Sequence, residues 1–142
     1  MNRVYNNEAI LMGCIFHLIK NEKMDLAKVY LYTTLLVDIQ LSSIIKRLDS
    51  FDQLCSEIKE HSLISRKLNS FGPYFLNATV ILKQNKFIVI SDGNLSIGKS
   101  AFPEGSLKSK RLDRIMKLSE HLLKICSGIS TKELYHNLSI QL

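Results

Sequence analysis

The chain has 142 residues, enough for one domain with a real core. Hydrophobic residues make up 46% and charged residues 23%, the balance of a soluble globular protein, and a net charge of +6 leaves nucleic acid, an acidic protein surface or simple solubility open. The three cysteines, Cys14, Cys55 and Cys126, lie far apart, which argues against a disulfide framework and a zinc site and points to idle thiols in a reducing cytoplasm.

The N-terminus, MNRVYNNEAI, is polar and has no apolar core ahead of a cleavage site, so no secretory leader is expected. The sequons at Asn77, Asn94 and Asn137 then carry no glycan. Asn6 or Asn7 is expected to cap a first helix, with Glu8 in its first turn. Ile10, Leu11, Cys14, Ile15, Leu18 and Ile19 recur at helical spacing and define its buried face. His17 lies among them as a core or boundary residue, since no second ligand shares a metal-binding spacing with it.

Residues 24–48 form the most apolar stretch, and from Val29 to Ile45 apolar residues occur on nearly every side, which predicts a helix enclosed by the rest of the protein. It does not read as a membrane span: the run is short, and Asp38, Gln40 and two serines interrupt it. Asp38 needs a partner on such a helix, either a neighbouring backbone group or an arginine. Ser50-Phe51-Asp52-Gln53 is a capping box that opens a short helix through Lys59. Another helical stretch, 62–70, is expected to end at Gly72-Pro73, with Pro73 the first residue of the next helix. Residues 74–84 are assigned to that helix, although Thr79-Val80-Ile81-Leu82 also suits a strand and a three-stranded meander.

The stretch FIVISDGNLSIGKS, 87–100, has two incompatible readings. Gly93 to Ser100 matches the phosphate-loop pattern G-x-x-x-x-G-K-[ST]. It also reads as a β-hairpin, with 87–90 as one strand, a turn at Asp92-Gly93-Asn94, and Leu95 and Ile97 facing inward on the return strand. A phosphate loop needs a helix at its Ser, and here Ala101-Phe102-Pro103-Glu104-Gly105 follows instead. The hairpin is the better reading.

A loop covers 99–106, and a long amphipathic helix is expected over 107–126. Its predicted buried stripe is Leu112, Ile115, Met116, Leu122, Leu123 and Cys126. On another face Lys110, Arg114, Lys117, His121 and Lys124 align, with Lys99, Lys108 and Arg111 nearby. A solvated face is the plain account of this basic stripe, since Asp113 and Glu120 intrude. Contact with DNA phosphates or an acidic partner is the functional one. Gly128 ends the helix, and Ser130-Thr131-Lys132-Glu133 is a capping box for a last helix over 131–138.

The expected fold class is mainly α (α+β): one domain, 1–142, of helices with a small β-hairpin wing, winged-helix-like. No cofactor site, metal site, nucleophile elbow or Cys-His signature is read from the residues, and the four histidines are scattered. Leu134, Leu138, Ile140 and Leu142 carry an apolar pattern to the end of the chain. That pattern suits either a partner-covered surface or docking onto the first helix.

Several elements together resemble a known family. They are Asn6-Asn7-Glu8-Ala9 in the first helix, the apolar YLYTTLLVD of 30–38 with Lys46-Arg47 after it, the Asp92-Gly93 wing, and Gly128-Ile129-Ser130 running to Leu134-Tyr135 and Leu138. Their order resembles the middle component of three-component ABC systems, which includes the small accessory C subunit of Lamassu-type anti-phage defence. One departure is Thr33-Thr34, where many members have a Leu-Pro-rich centre. The resemblance implies a non-catalytic cytoplasmic subunit. Its partners would be an SMC-like coiled-coil ATPase and a nuclease effector, held silent until foreign DNA is sensed, with no membrane contact. Charge alone nominates Lys99, Lys108, Lys110, Arg111, Arg114, Lys117 and Lys124 for partner or DNA-backbone contact. The rivals are a free-standing winged-helix DNA-binding regulator and a small nucleotide-binding enzyme.

Overall fold

A computed structural model describes residues 2–20, 22–60, 63–107 and 109–141, with side chains placed from Glu8 onward except at Leu107. Among these, seven α-helices enclose a core, and a three-stranded antiparallel sheet lies beside them. The expected helical domain with a wing is what forms.

Helix α1, Asn2–Ile19, buries Ile10, Leu11, Cys14, Ile15, Leu18 and Ile19 as its periodicity predicts. Asn6 and Asn7 are not its cap, because the backbone is already helical from Asn2. Asparagine's preference for a helix start is a weak local term that does not bar it from a helix interior. Here Asn77 of a later helix donates to the Glu8 carboxylate and ties this end down.

The core is built around α2, Leu26–Val37, in which every residue from Leu31 to Leu36 is buried. Each aliphatic side chain enclosed this way contributes about 2 kcal/mol relative to exposure. Ahead of α2, Met24–Asp25 forms β1, a strand too short to show any alternation in sequence. Asp25 also caps α2, accepting from the Lys28 amide at 2.9 Å, and its other oxygen accepts from the Thr131 hydroxyl.

The single helix expected over 29–45 is in fact two. Chain direction changes at Asp38, and α3 runs over Ile39–Lys46. The Asp38 amide donates to the Thr34 carbonyl at 3.1 Å and closes α2, while its carboxylate accepts from the Leu41 amide at 3.0 Å and opens α3. Lys67 reaches the two carboxylate oxygens at 3.0 and 3.1 Å. A cap and an ion pair together outweigh helix continuation, which depends on apolar spacing alone. The backbone partner expected for Asp38 is thus present as the Leu41 amide, and the charged partner is a lysine rather than an arginine.

Helix α4, Phe51–Glu60, starts at the expected box, though the reciprocal arm reaches one residue further back. Ser50 Oγ accepts from the Gln53 amide at 3.2 Å, and Gln53 Oε1 accepts from the Asp49 amide at 2.7 Å.

At Gly72-Pro73 the opposite error appears. No break occurs, and α5 is continuous over Ile64–Gln84 with Pro73 inside it. Residues 74–84 are helical as assigned, so the meander does not form. Proline lacks the N–H that would bond the Asn69 carbonyl and crowds that turn. Tyr30 of α2 braces the adjoining turn: its hydroxyl donates to the Leu68 carbonyl, one residue before the orphaned one, and its ring packs on Phe75 and Phe71 at 5.0 and 6.4 Å, residues either side of the Gly-Pro pair. Gly72 permits the approach, since a Cβ there would lie 3.2 Å from the Tyr30 hydroxyl.

The wing follows as β2, Ile88–Ser91, and β3, Asn94–Ile97, paired in register Ile90↔Leu95 and Ser91↔Asn94. Its two turn residues, Asp92 and Gly93, have φ of 52° and 78°, the pair of positive values that a type I′ hairpin requires. β1 adds to β3 rather than to β2, giving the order β1-β3-β2. Leu95 is buried as expected, but Ile97 is 46% exposed, because the helices cover that end of β3 only in part.

A 3-10 turn, Glu104–Leu107, leads into α6, Lys110–Ile125. This helix starts later than expected because Ser109 caps it, accepting from the Leu112 amide at 3.0 Å. Leu112, Ile115, Leu122 and Cys126 are buried as predicted, and Met116 and Leu123 only partly. Gly128 takes φ 78° beyond the helix, and the capping box at Ser130 opens α7, Thr131–Asn137.

The chain end belongs to its own core. Leu134 and Leu138 are fully buried, and Ile140 packs against them. The Tyr135 hydroxyl donates to the Ala27 carbonyl at 2.6 Å and the Gln141 amide to Ser65 Oγ at 2.9 Å. The tail is therefore tied to α2 and α5, and its Leu134 and Leu138 are spent on the chain's own core. Leu142 lies outside the described residues.

Candidate partner-binding groove

The break at Asp38 shapes the surface as well as the core. Because Asp38 is held as a cap, the first residue of α3, Ile39, is turned outward and is 78% exposed. The other wall comes from α6, where i, i+3 spacing puts Arg111, Arg114 and Lys117 on one side. Between the two helices runs a groove of about 1150 Å³, with Val37, Ile115 and Leu118 among its apolar contributors. His121 closes one end, its Nε2 lying 2.6 Å from the Leu48 carbonyl.

Electrostatics in the groove are one-sided. Lys46, Arg111, Arg114 and Lys117 line it, and Asp38 is the lining carboxylate. Both Asp38 oxygens are engaged, by Lys67 and by the Leu41 amide. The Arg111 guanidinium also bonds the Val37 carbonyl at 3.4 Å, placing a cation at the C-terminus of α2 where the helix dipole favours it. Lys46, Arg114 and Lys117 make no ion pair among the described residues.

The basic residues singled out in sequence thus separate into groups. Arg111, Arg114 and Lys117 come together in the groove, while Lys110 and Lys124 are exposed on the same helix but outside its lining. Lys99 stands apart at the base of the hairpin, beside the Ser100 amide that bonds the Lys86 carbonyl at 3.0 Å. Lys108 lies outside the described residues. Ile39 and Lys46 were missed as site residues, since a continuous helix would have given them other directions.

The phosphate-loop match is a sheet element. Asn94 to Ile97 lie in β3, the Gly98 amide bonds the Phe87 carbonyl at 2.8 Å, and extended chain follows Ser100. Amides that would have to cradle a phosphate are spent on the wing.

Of the remaining candidates, Cys14 and Cys126 are buried and His17 is half-buried. The Cys14 and Cys126 thiols are pushed up to about 12 and about 11, mainly by burial, the reverse of the depression that activates a nucleophilic thiol. His17 is held below its usual value by burial first and by Lys20 second, and its Nδ1 has no partner among the described residues. No group of three metal-ligating side chains occurs among the described residues, and none of their helices is long and apolar enough to cross a membrane. The helix before the wing, α5, turns Tyr74, Leu76 and Val80 outward, with Leu76 56% exposed. No protein-family model matches the chain, and no curated protein or solved structure matches it either.

Proposed function

We propose that the chain is a non-catalytic accessory subunit acting in the cytoplasm. It binds an SMC-like coiled-coil ATPase and helps to hold a nuclease effector silent until foreign DNA is sensed. The observation that carries the reading is the α3–α6 groove, where Lys46, Arg114 and Lys117, which make no ion pair among the described residues, share the lining with an exposed isoleucine. Such a mixture suits a protein surface, with charge for steering and an apolar centre for affinity. The resemblance in the motif order supplies the partners' identity.

A free-standing DNA reader fits less well. A winged-helix reader presents polar side chains on the helix ahead of its wing. Here that helix offers Tyr74, Leu76 and Val80, and the wing tip carries Asp92. Any DNA contact is then with the backbone, directly or by way of the assembled complex.

Co-expression with the products of the neighbouring genes tests the proposal. The chain is expected to elute with a coiled-coil ATPase at fixed stoichiometry on size exclusion. Elution alone, with tight duplex binding by the isolated chain, would replace the subunit reading with the regulator.

A further inference from the structure

We infer that the α3–α6 groove is a receptor for a short acidic segment of a partner protein that carries an apolar side chain at its centre. The inference rests on the accessory-subunit reading and adds the chemistry of what is bound. Charge complementarity sets the sign: the Lys46, Arg114 and Lys117 cations make no ion pair among the described residues, and Asp38, the carboxylate in the lining, is held by Lys67 and the Leu41 amide. Asp113 and Glu120, the acids on the same helix, do not line the groove. Apolar surface sets the class of partner. Ile39, 78% exposed, stands among those cations, and Val37, Ile115 and Leu118 lie with it in the lining.

A phosphate backbone would satisfy the charges but leave Ile39 in water. Single-stranded nucleic acid would in addition want aromatic rings for its bases, and no Phe or Tyr lines the groove. A carboxylate-rich peptide with one buried hydrophobe answers both features, the anchor supplying affinity and the acids supplying rate and register. The chain's own tail is not the occupant, since Gln141 is held at Ser65 on α5. A second copy offering the acidic α4, with Asp52, Glu57 and Glu60, is the other source of carboxylates and is separated by experiment.

Fluorescence anisotropy on the full chain uses three probes: a labelled oligoglutamate with a central Leu-Leu pair, the same-length oligoglutamate, and a short duplex DNA. The Leu-Leu peptide is expected to bind about tenfold more tightly than the plain one, the size of effect a central anchor gives. Ile39→Ser should abolish that ratio at unchanged melting temperature, as the side chain is exposed. The double reversal Arg114→Glu with Lys117→Glu should weaken both peptides, most at low salt. The inference is overturned if the duplex outcompetes both peptides, or if Ile39→Ser leaves the ratio intact. Concentration-dependent self-association that the double reversal abolishes would overturn it in favour of a second copy. If the chain still elutes with the ATPase while Ile39→Ser leaves the peptide ratio intact, this inference falls and the subunit reading stands. Groove binding without any ATPase complex would do the reverse.

Discussion

Asp38 and Pro73 are the two places where a helix meets a residue that disfavours or redirects it, and the outcomes are opposite. At Asp38 an apolar stretch that suits one helix becomes two. At Pro73 a Gly-Pro pair that should end a helix lies in its interior. Intrinsic preference does not explain both. What separates them is the fate of the backbone and charged groups that each residue redirects. Asp38 gains the Leu41 amide and Lys67 by leaving the helix. Continuing across Pro73 costs the hydrogen bond to the Asn69 carbonyl, and Tyr30 braces the adjoining turn by bonding the Leu68 carbonyl and packing its ring on Phe71 and Phe75. Partners outside the helix decide.

The largest test removes a partner from the break. Asp38→Ala deletes the α3 cap and leaves the Lys67 ammonium, which is only about one-fifth exposed, without its carboxylate. We expect a loss of about 2 kcal/mol in urea unfolding, roughly half from the cap and half from the charge-assisted bond. Asp38→Asn should recover the cap portion alone. A loss within error of zero for Asp38→Ala would mean that packing, not the aspartate, bends the chain.

The proline side is tested by coupling. Tyr30→Phe should cost about 1 kcal/mol, because the part-buried hydroxyl bond to the Leu68 carbonyl is lost while the ring contacts survive. In a Pro73→Ala background, where the helix can close on itself, the same change should cost less. The double-mutant cycle should show coupling of at least about 0.5 kcal/mol. Strict additivity would show that the hydroxyl compensates nothing at the proline.

These two junctions also mark the limit of what the residues disclosed. The wing was legible because Asp92-Gly93 carries its own turn chemistry, and the last helix because its capping box is local. β1 was not, since two residues have no period and Met24 is held by Leu95 from far along the chain. One wall of the groove was legible: the alignment of Arg114 and Lys117 on α6 is a property of that helix alone. The other wall was not, because the direction of Ile39 depends on Asp38 finding Lys67. Lys99 shared charge but not location with that stripe, since the hairpin carries it to another part of the surface.

Where α5 does stop, neither an aspartate nor a proline stops it, which sharpens the comparison. Lys86 takes φ 62°, and the Phe87 amide turns back to the Leu82 carbonyl at 3.0 Å, the closure by which a left-handed residue ends a helix. A lysine pays a steric penalty at that φ which glycine does not. Its carbonyl is fixed there by the Ser100 amide, and the neighbouring Gly98 amide is fixed by Phe87, so the start of the wing holds the strained residue in place. Lys86→Gly should therefore stabilise the protein by about 0.5 kcal/mol, since strain relief slightly exceeds the added entropy of the unfolded chain. Lys86→Ala separates backbone from charge: it keeps the Cβ and the strain, so it should leave the urea midpoint nearly unchanged. Equal gains from both substitutions would assign the effect to removal of a cation from the hairpin base, and the helix end would owe nothing to its left-handed residue.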